Sequence, residues 1–193
     1  NPGDAGSSLG AALGHTREHV DYSPYLGTNI DSQINPKEVV DWISKKKVCG
    51  VANGKAEFGP RALGNRSLLG DVRFDIKRTV NRIKRRQNFR PFAPAILSEY
   101  ANEYFEGPMN EYMQYTAQAK HDYTSVSHVD NSARVQLVTP KCGTVLRPIL
   151  EEYYEKTGVP MLLNTSLNIK GQPMVDSWQD ALDFQKMYGV KVF

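Results

Sequence analysis

The stretch NPKEVVDWISKKKVCGVA, residues 35–52, decides the fold class because it joins a helix directly to a buried strand. Asn35 and Pro36 predict a helix start, with an N-cap asparagine followed by proline at the first helical position. Three lysines at positions 45–47 suit the negative C-terminal end of this helix. The apolar residues 48–52 that follow predict a short buried strand.

Helices and strands continue to alternate on both sides of this stretch. Small residues at 1–14 predict a loop that runs into a packed helix, while 15–33 and 53–72 predict a polar connector and a loop. The periodicity predicts helices at 75–86, 98–105, 145–156 and 178–188, and strands at 92–97, 112–119, 133–138, 159–163 and 190–193. We therefore predict an α/β or α+β domain with a mixed sheet and flanking helices.

The composition is typical of a soluble globular domain, with 193 residues, 40% hydrophobic and 23% charged. No apolar run reaches the ~18 residues that a membrane helix needs, and the N-terminus lacks a signal-peptide pattern. Because Cys49 and Cys142 are the only cysteines, we expect no disulfide framework and a cytoplasmic protein. Since the chain has no initiator methionine, we expect a piece of a longer protein.

The positive charge of the chain is concentrated in one region. The stretch from Asp71 to Arg90 contains eight basic and two acidic residues. It therefore carries a net charge of +6, within a chain whose net charge is +3. Localised charge favours a local anion over a nucleic acid, which needs a more extended basic surface. A solvated basic helix face and a nonspecific nucleic-acid patch are the alternatives.

A first candidate segment is GKAEFGPRALGNRS, residues 54–67. Its glycines let the backbone approach a ligand, and Arg61 and Arg66 offer planar forks to phosphate or carboxylate oxygens. Glu57 lies between them and the preceding strand. The alternative is a surface loop with solvated arginines.

A second segment, NRIKRRQNFRPFAP, residues 81–94, places Ile83 and Phe89 as apolar anchors within the basic run. On the predicted helix 75–86, neighbouring side chains lie about 100° apart. We therefore predict that Arg86 shares a phosphate-facing side with Arg90, and that Arg85 faces solvent. A cluster of fixed cations of this kind stabilises a bound polyphosphate.

A third segment, LLNTSLNIKGQP, residues 162–173, runs from a buried strand into short polar side chains. Strand ends are the usual ligand-binding edge of α/β sheets. Amide and hydroxyl groups here can both donate and accept hydrogen bonds. Capping and turn formation by the same residues is the alternative.

Together these segments resemble the NodU/CmcH carbamoyltransferases, on residues 57–67, 81–94, 124–138 and 163–168. The resemblance covers about residues 34–193 and implies the C-terminal domain of that family, which is similar to the YrdC fold. Lys84-Arg85-Arg86 and Ser166-Leu167-Asn168 match the K-x-R and S-x-N elements of that fold. Residues 1–33 resemble the tail of the family's N-terminal actin-like domain and a connector.

The resemblance implies an ATP-dependent transfer of carbamoyl from carbamoyl phosphate, through carbamoyl-adenylate, to a hydroxyl of a small molecule. It implies that Mg²⁺ accompanies ATP and that the N-terminal domain holds iron, so the isolated chain is incomplete. The implied catalytic residues are Lys84, Arg86, Arg90, His128 and Arg134. The implied substrate- and nucleotide-binding residues are Glu57, Arg61, Arg66, Asn164, Thr165, Ser166 and Asn168, with Asp4 as an iron ligand only alongside the N-terminal domain.

Other readings of the same segments remain open. A threonylcarbamoyl-adenylate synthase would share the fold but use bicarbonate and threonine; the 1–14 and 57–67 segments disfavour it. An RNA-binding module would use the basic run, although its charge is local and no exposed aromatics are expected beside it. An exposed bystander is the alternative for His128. We expect no membrane partner and no specific nucleic acid.

Overall fold

The computed structural model describes residues 6–193, in which helices and strands alternate. The helices are α1 (Ser7–Thr16), α2 (Pro36–Lys46), α3 (Lys77–Ile83), α4 (Ala101–Tyr104), α5 (Leu146–Thr157) and α6 (Trp178–Tyr188). The strands are β1 (Tyr25–Ile30), β2 (Val48–Ala52), β3 (Gly54–Glu57), β4 (Arg66–Gly70), β5 (Ala93–Leu97), β6 (Phe105–Glu106), β7 (Ala117–Ala119), β8 (Ser132–Ala133), β9 (Gln136–Val138) and β10 (Met161–Ser166).

The main sheet has five strands in the order β2-β4-β10-β5-β9. Its first four strands are antiparallel neighbours, and β5 pairs with β9 in parallel. Two smaller sheets, β1-β3 and β6-β7-β8, flank it. The predicted α/β class with a mixed sheet is confirmed.

Helices cover both faces of the main sheet. On one face α2 and α5 bury residues such as Val39, Ile43 and Ile149 against the strands. On the other face Val80 of α3 and Phe184 of α6 pack with strand residues. Because these four helices cover the two sheet faces with apolar residues, the sheet is enclosed in a layered core.

The ends of α2 follow the sequence pattern. The side chain of Asn35 accepts a hydrogen bond from the backbone N–H of Lys37 at 3.0 Å, and Pro36 is the first helical residue. Lys47 closes the helix in a left-handed conformation, and β2 begins at the next residue. The predicted helix–strand junction is confirmed.

Two regions expected to be irregular contain strands. Residues 53–72 hold β3 and β4, and all five residues of β4 are buried in the main sheet. Residues 15–33, expected to form a connector, hold β1, which pairs with β3. The polar residues at these strand ends obscured the pattern, because Arg66 begins β4 and side chains of β1 are largely exposed.

The basic helix is shorter than predicted. It ends at Ile83 instead of residue 86, and Arg85 turns the chain with a φ of 51°. Phe89 is 69% exposed, so its predicted role as an apolar anchor is wrong, whereas Ile83 packs partly buried against the core. The basic residues after Ile83 therefore lie on a loop.

Several other boundaries also differ from the prediction. The strand expected at 112–119 is confined to β7, and the one expected at 133–138 is divided between β8 and β9 in different sheets. Residues 98–105 form a 3₁₀ turn and the single-turn α4. Near the C-terminus, Val192 forms only an isolated parallel bridge with Gly50. Within residues 6–193, no helix is long and apolar enough to cross a bilayer.

Candidate functional site

Four arginines surround an open cavity of about 420 Å³, which we name the arginine cavity. Its lining includes Arg61, Arg86, Arg90, Arg134 and His128. An adjoining space of about 90 Å³, the inner recess, shares three of these arginines and reaches the end of β10. Its β10 residues are Asn164, Thr165 and Ser166. The three candidate segments therefore meet at one place.

Neighbouring groups hold the side chain of Arg86 in the arginine cavity. Its Nε donates to Asn81 Oδ1 at 2.6 Å, and its guanidinium carbon lies 4.3 Å from the centre of the Phe92 ring. Burial, followed by the charges of Arg90 and Arg134, lowers the pKa of Arg86 to about 10. The guanidinium is held in a fixed orientation within a region of positive potential.

The arginines of the cavity lack acidic partners. None of Arg61, Arg86, Arg90 and Arg134 forms an ion pair with any residue in the described part of the chain. Their charges repel one another, and an anion in the cavity would relieve this repulsion. This arrangement is suited to binding phosphate or carboxylate oxygens.

Asn81, which the sequence argument did not single out, organises the loop that carries two of these arginines. Its side chain is fully buried at the C-terminal part of α3. Its Nδ2 donates to the carbonyl oxygens of Asn88 at 3.1 Å and Arg90 at 3.0 Å, while its Oδ1 accepts from Arg86. An asparagine inside a basic run gave no signal of this role, because the loop that it binds is not visible in a helical pattern.

Lys84 lies beneath the site and does not line either space. It is 4% exposed, and its Nζ donates to Ser166 Oγ at 3.2 Å, to Asn168 Oδ1 at 2.8 Å and to both backbone carbonyls. Burial, and after it the charge of Arg86, lowers its pKa to about 7. The geometry therefore favours a tether between the end of α3 and β10 over the predicted phosphate contact.

Ser166 and Asn168 face different spaces although their side chains touch. Ser166 Oγ donates to Asn168 Oδ1 at 2.7 Å. Ser166 lines the inner recess, whereas Asn168 lines a separate cavity of about 430 Å³ beside α6. Asn168 is thus placed to orient Ser166 but not to contact a ligand in the arginine cavity.

Glu57 shapes the loop that carries Arg61. Its Oε1 accepts the backbone N–H groups of Leu63 at 2.7 Å and Asn65 at 2.8 Å. Burial raises the pKa of this carboxyl group, while the backbone donors act in the opposite direction. Glu57 does not line the arginine cavity or the inner recess, so its predicted contact with substrate has no support in the geometry.

Arg66 is fully buried, and within the described residues its side chain bonds only to backbone carbonyl oxygens. Its Nη2 donates to Thr28 and Asp176, both at 2.8 Å. Its Nη1 donates to Asn53 at 2.9 Å, Gly54 at 3.1 Å and Asn65 at 2.9 Å. This donor set joins three distant parts of the chain and leaves the predicted substrate contact without support.

His128 and Arg134 approach the arginine cavity from the strand region around β8. The backbone N–H of His128 donates to the carbonyl of Ser132 at 2.8 Å, which closes a tight turn. His128 is half-buried and lines the cavity, and Arg134 lines both the cavity and the inner recess. Their catalytic roles remain predictions.

The predicted iron ligand Asp4 lies outside the described residues. Among residues 6–193, no three His, Cys, Asp or Glu side chains converge on a point where they could hold a metal ion.

The fold and the site together define an α/β domain with an arginine-lined cavity near the end of β10. This chain belongs to the family described as carbamoyltransferase C-terminus, whose family model matches residues 40–193. The resemblance found in the sequence is thereby confirmed. The division at residues 33 and 34 remains a prediction.

Curated relatives of the chain include nodulation proteins. It is 35% identical to nodulation protein NolNO of Sinorhizobium fredii, covering 93% of this chain and 32% of that protein. It is 33% identical to nodulation protein NolO of Bradyrhizobium diazoefficiens, covering 93% and 39%. It is 32% identical to nodulation protein U of Rhizobium tropici, covering 89% and 33%. The chain spans about a third of the length of these relatives.

Two solved structures share the fold. Full-length HypF in a phosphate- and nucleotide-bound form superposes with a TM-score of 0.55 at 17% identity, covering 84% of this chain and 21% of that chain. T. kodakarensis HypF gives a TM-score of 0.54 at 16% identity, covering 83% and 21%. At this identity the likeness concerns the fold alone.

Proposed function

We propose that this chain is the part of an ATP-dependent carbamoyltransferase that makes carbamoyl-adenylate from carbamoyl phosphate and ATP. The observation that carries the proposal is the convergence of four arginines, without acidic partners among the described residues, on one cavity. Membership of the carbamoyltransferase C-terminus family supports carbamoyl as the transferred group.

The proposed reaction has two steps that both involve phosphate oxygens. Water first cleaves carbamoyl phosphate to carbamate and inorganic phosphate. A carbamate oxygen then attacks the α-phosphorus of ATP, forming an O–P bond as the bond to pyrophosphate breaks. Positioning and charge neutralisation supply most of the catalysis in phosphoryl and nucleotidyl transfer. Arg61, Arg86, Arg90 and Arg134 provide the charge, and Mg²⁺ would accompany ATP.

The inner recess suits the carbamoyl end of the donor. Its space of about 90 Å³ borders both cationic side chains and the polar end of β10. The guanidinium groups would hold the phosphate, while Thr165, Ser166 and Asn164 would contact the small polar group attached to it. The larger arginine cavity leaves room for the nucleotide phosphates.

We further propose that the carbamoyl group passes from the adenylate to a hydroxyl of a small molecule in another part of the whole protein. The length of the curated relatives, about three times that of this chain, supports such an additional part. The sequence resemblance implies an N-terminal actin-like domain that holds iron, with Asp4 as one of the iron ligands. This domain would hold the acceptor.

The adenylate-forming step is testable by ATP–pyrophosphate exchange with radiolabelled pyrophosphate in the intact protein. We expect label to enter ATP only when carbamoyl phosphate is present, because carbamate must attack before pyrophosphate can leave. Exchange that requires bicarbonate and threonine instead would identify a threonylcarbamoyl-adenylate synthase. No exchange with either donor would contradict the proposed function.

A further inference from the structure

The side chain of Asn164 lines the inner recess and is hydrogen-bonded to a second buried amide, that of Gln136. Its Nδ2 donates to the carbonyl oxygen of Ala62 at 3.0 Å and to Gln136 Oε1 at 2.7 Å. Gln136 Nε2 in turn donates to the carbonyl oxygen of Leu63 at 3.0 Å. Asn164 is 1% exposed and Gln136 is 2% exposed, so both amides are shielded from water.

Backbone carbonyls fix the orientation of both amides. Since the carbonyl of Leu63 can only accept, Gln136 must present its NH₂ there and its oxygen towards Asn164. Asn164 must therefore present its NH₂ to Gln136 and to the carbonyl of Ala62. The oxygen Oδ1 of Asn164 is left over, and it is buried without a hydrogen-bond partner among residues 6–193.

A buried carbonyl oxygen without a donor is unusual, because such groups are nearly always satisfied. Asn164 lines the inner recess, so a ligand seated there can supply the missing donor. The other polar side chains of the recess are three arginines, which only donate, and the hydroxyls of Thr165 and Ser166. The recess thus contains hydrogen-bond donors that suit an anion, and one acceptor, Asn164 Oδ1, that suits an N–H or O–H group.

We infer that Asn164 Oδ1 accepts a hydrogen bond from the amino group of the carbamoyl donor and makes the site selective for carbamoyl over acyl phosphates. This inference rests on the proposed function. Acetyl phosphate has the same phosphate and carbonyl groups but a methyl group in place of NH₂, so it would leave Oδ1 unpaired. Sites built to hydrogen-bond an NH or OH group reject analogues that lack it strongly, because a buried polar group is left unsatisfied.

Two stable phosphonates test the selectivity without turnover. Phosphonoacetamide carries the amide of the carbamoyl donor, and acetonylphosphonate carries a methyl ketone of the same shape. We expect calorimetric titration of the intact protein to show phosphonoacetamide binding at least about 10-fold more tightly, in line with the cost of an unpaired buried group. The Asn164→Ala and Asn164→Leu variants should bring this ratio close to one.

Ser67→Ala is a matched control. Ser67 lies on the neighbouring strand β4, and its Oγ is also buried without a hydrogen-bond partner in the described part of the chain. Ser67 does not line the inner recess. Its removal should leave the ratio unchanged. Leucine has nearly the shape of asparagine, so Asn164→Leu avoids the space that alanine leaves. Should neither variant fold, the side-chain amide signals of ¹⁵N-labelled Asn164 in the unmodified protein should shift with phosphonoacetamide and not with acetonylphosphonate.

The outcomes separate the inference from the proposed function. Equal binding of both phosphonates by the unmodified protein would overturn the inference, and so would a preference that persists in folded Asn164 variants. Neither outcome would contradict the proposed adenylate formation, which the exchange experiment tests separately. If the protein binds neither phosphonate and shows no carbamoyl-phosphate-dependent exchange, both the proposed function and the inference are contradicted.

Discussion

Arg85 and Arg86 are neighbours in the sequence with opposite surroundings. Arg85 is exposed, with its guanidinium carbon 5.4 Å from the centre of the Tyr188 ring, whereas Arg86 is half-buried in the arginine cavity. The sequence predicted this difference from helical spacing, but α3 ends at Ile83. The difference arises from the left-handed turn at Arg85 and from the bond between Arg86 and Asn81.

Substitution of these two arginines should separate their roles. Arg86→Ala should lower adenylate formation by about 100-fold or more, because it removes a fixed charged donor from the region where charge develops. Arg85→Ala should lower it less than about threefold. Pyrophosphate release by the intact protein in the presence of ATP and carbamoyl phosphate measures both. Equal losses, or a larger loss at Arg85, would show that the arginine cavity is not the reaction site.

Arg66 should contribute to stability and not to chemistry. Lysine keeps the charge but offers fewer donors on a different geometry, so Arg66→Lys would leave buried carbonyls unpaired. We expect the free energy of unfolding in urea to fall by roughly 2–4 kcal/mol. Arg82→Lys, at an exposed position on α3, should change it by less than about 0.5 kcal/mol. An unchanged unfolding midpoint in Arg66→Lys would contradict the structural role.

The sequence identified most of the chemically relevant side chains, but it did not show which of them are buried. Arg61, Arg66 and Lys84 carry similar donors, and each could serve phosphates or backbone carbonyls. Which one it serves depends on whether the side chain meets solvent or the core, and this is decided by pairing between distant segments. Asn81 and Gln136 escaped notice for the same reason, since an amide becomes informative only when its partners are known.

At the scale of elements, the helices with clear caps were predicted best. α2 has an asparagine cap and a proline, and α6 has a capping box between Ser177 and Asp180, so local sequence determines where they begin. β4 was missed because its residues are buried by β2 and β10 on both sides, a context that local polarity does not reveal. The early end of α3 was missed because no glycine or proline marks it in the sequence.

The tether between α3 and β10 should be visible in the pH dependence of stability. The pKa of Lys84 is lowered to about 7 in the folded state, while an unfolded lysine titrates near ~10.4. Between these values the unfolded state binds the extra proton, so stability relative to a variant without this amine must rise with pH.

Lys84→Met provides the comparison. The free energy of unfolding of the unmodified protein minus that of Lys84→Met should grow from about pH 7 to pH 10, by at most roughly 1.4 kcal/mol per pH unit. Urea unfolding at several pH values measures this difference, in which other titrating groups cancel. Curves that run parallel over this range would mean that Lys84 stays fully protonated in the folded protein.

At the scale of the whole molecule, the main sheet brings remote segments together. The loop after α3 and the end of β10 are about 80 residues apart in sequence, as the Lys84–Ser166 separation of 82 shows, and Arg86 and Ser166 both line the inner recess. The resemblance grouped both segments as nucleotide-binding elements, but of their matched residues Lys84 and Asn168 do not line the recess. The pairing of β1 with β3 was not predictable, because a short exposed strand has no distinctive pattern.

The clustering of the arginines around one cavity should favour small polyphosphates over RNA, which needs a more extended basic surface. Pyrophosphate should raise the melting temperature of the intact protein at about 0.15 M salt, and a random 20-nucleotide RNA should not displace it. The exposed Phe89 beside Arg90 is the one aromatic on this loop that could stack on a base. Phe89→Ala should leave pyrophosphate binding unchanged. Displacement by RNA that weakens steeply with salt would instead support the RNA-binding module.

The attachment of β1 has a mechanical consequence. The carbonyl of Thr28 accepts from Arg66, and the Thr28 hydroxyl donates to Asp176 Oδ2 at 2.5 Å, while neighbouring residues of β1 pair with β3. A force that pulls on the chain upstream of Tyr25 would therefore act on the guanidinium of Arg66, at the start of the buried strand β4, before it acted on α2. The chain is therefore fixed to the sheet at β1, upstream of α2.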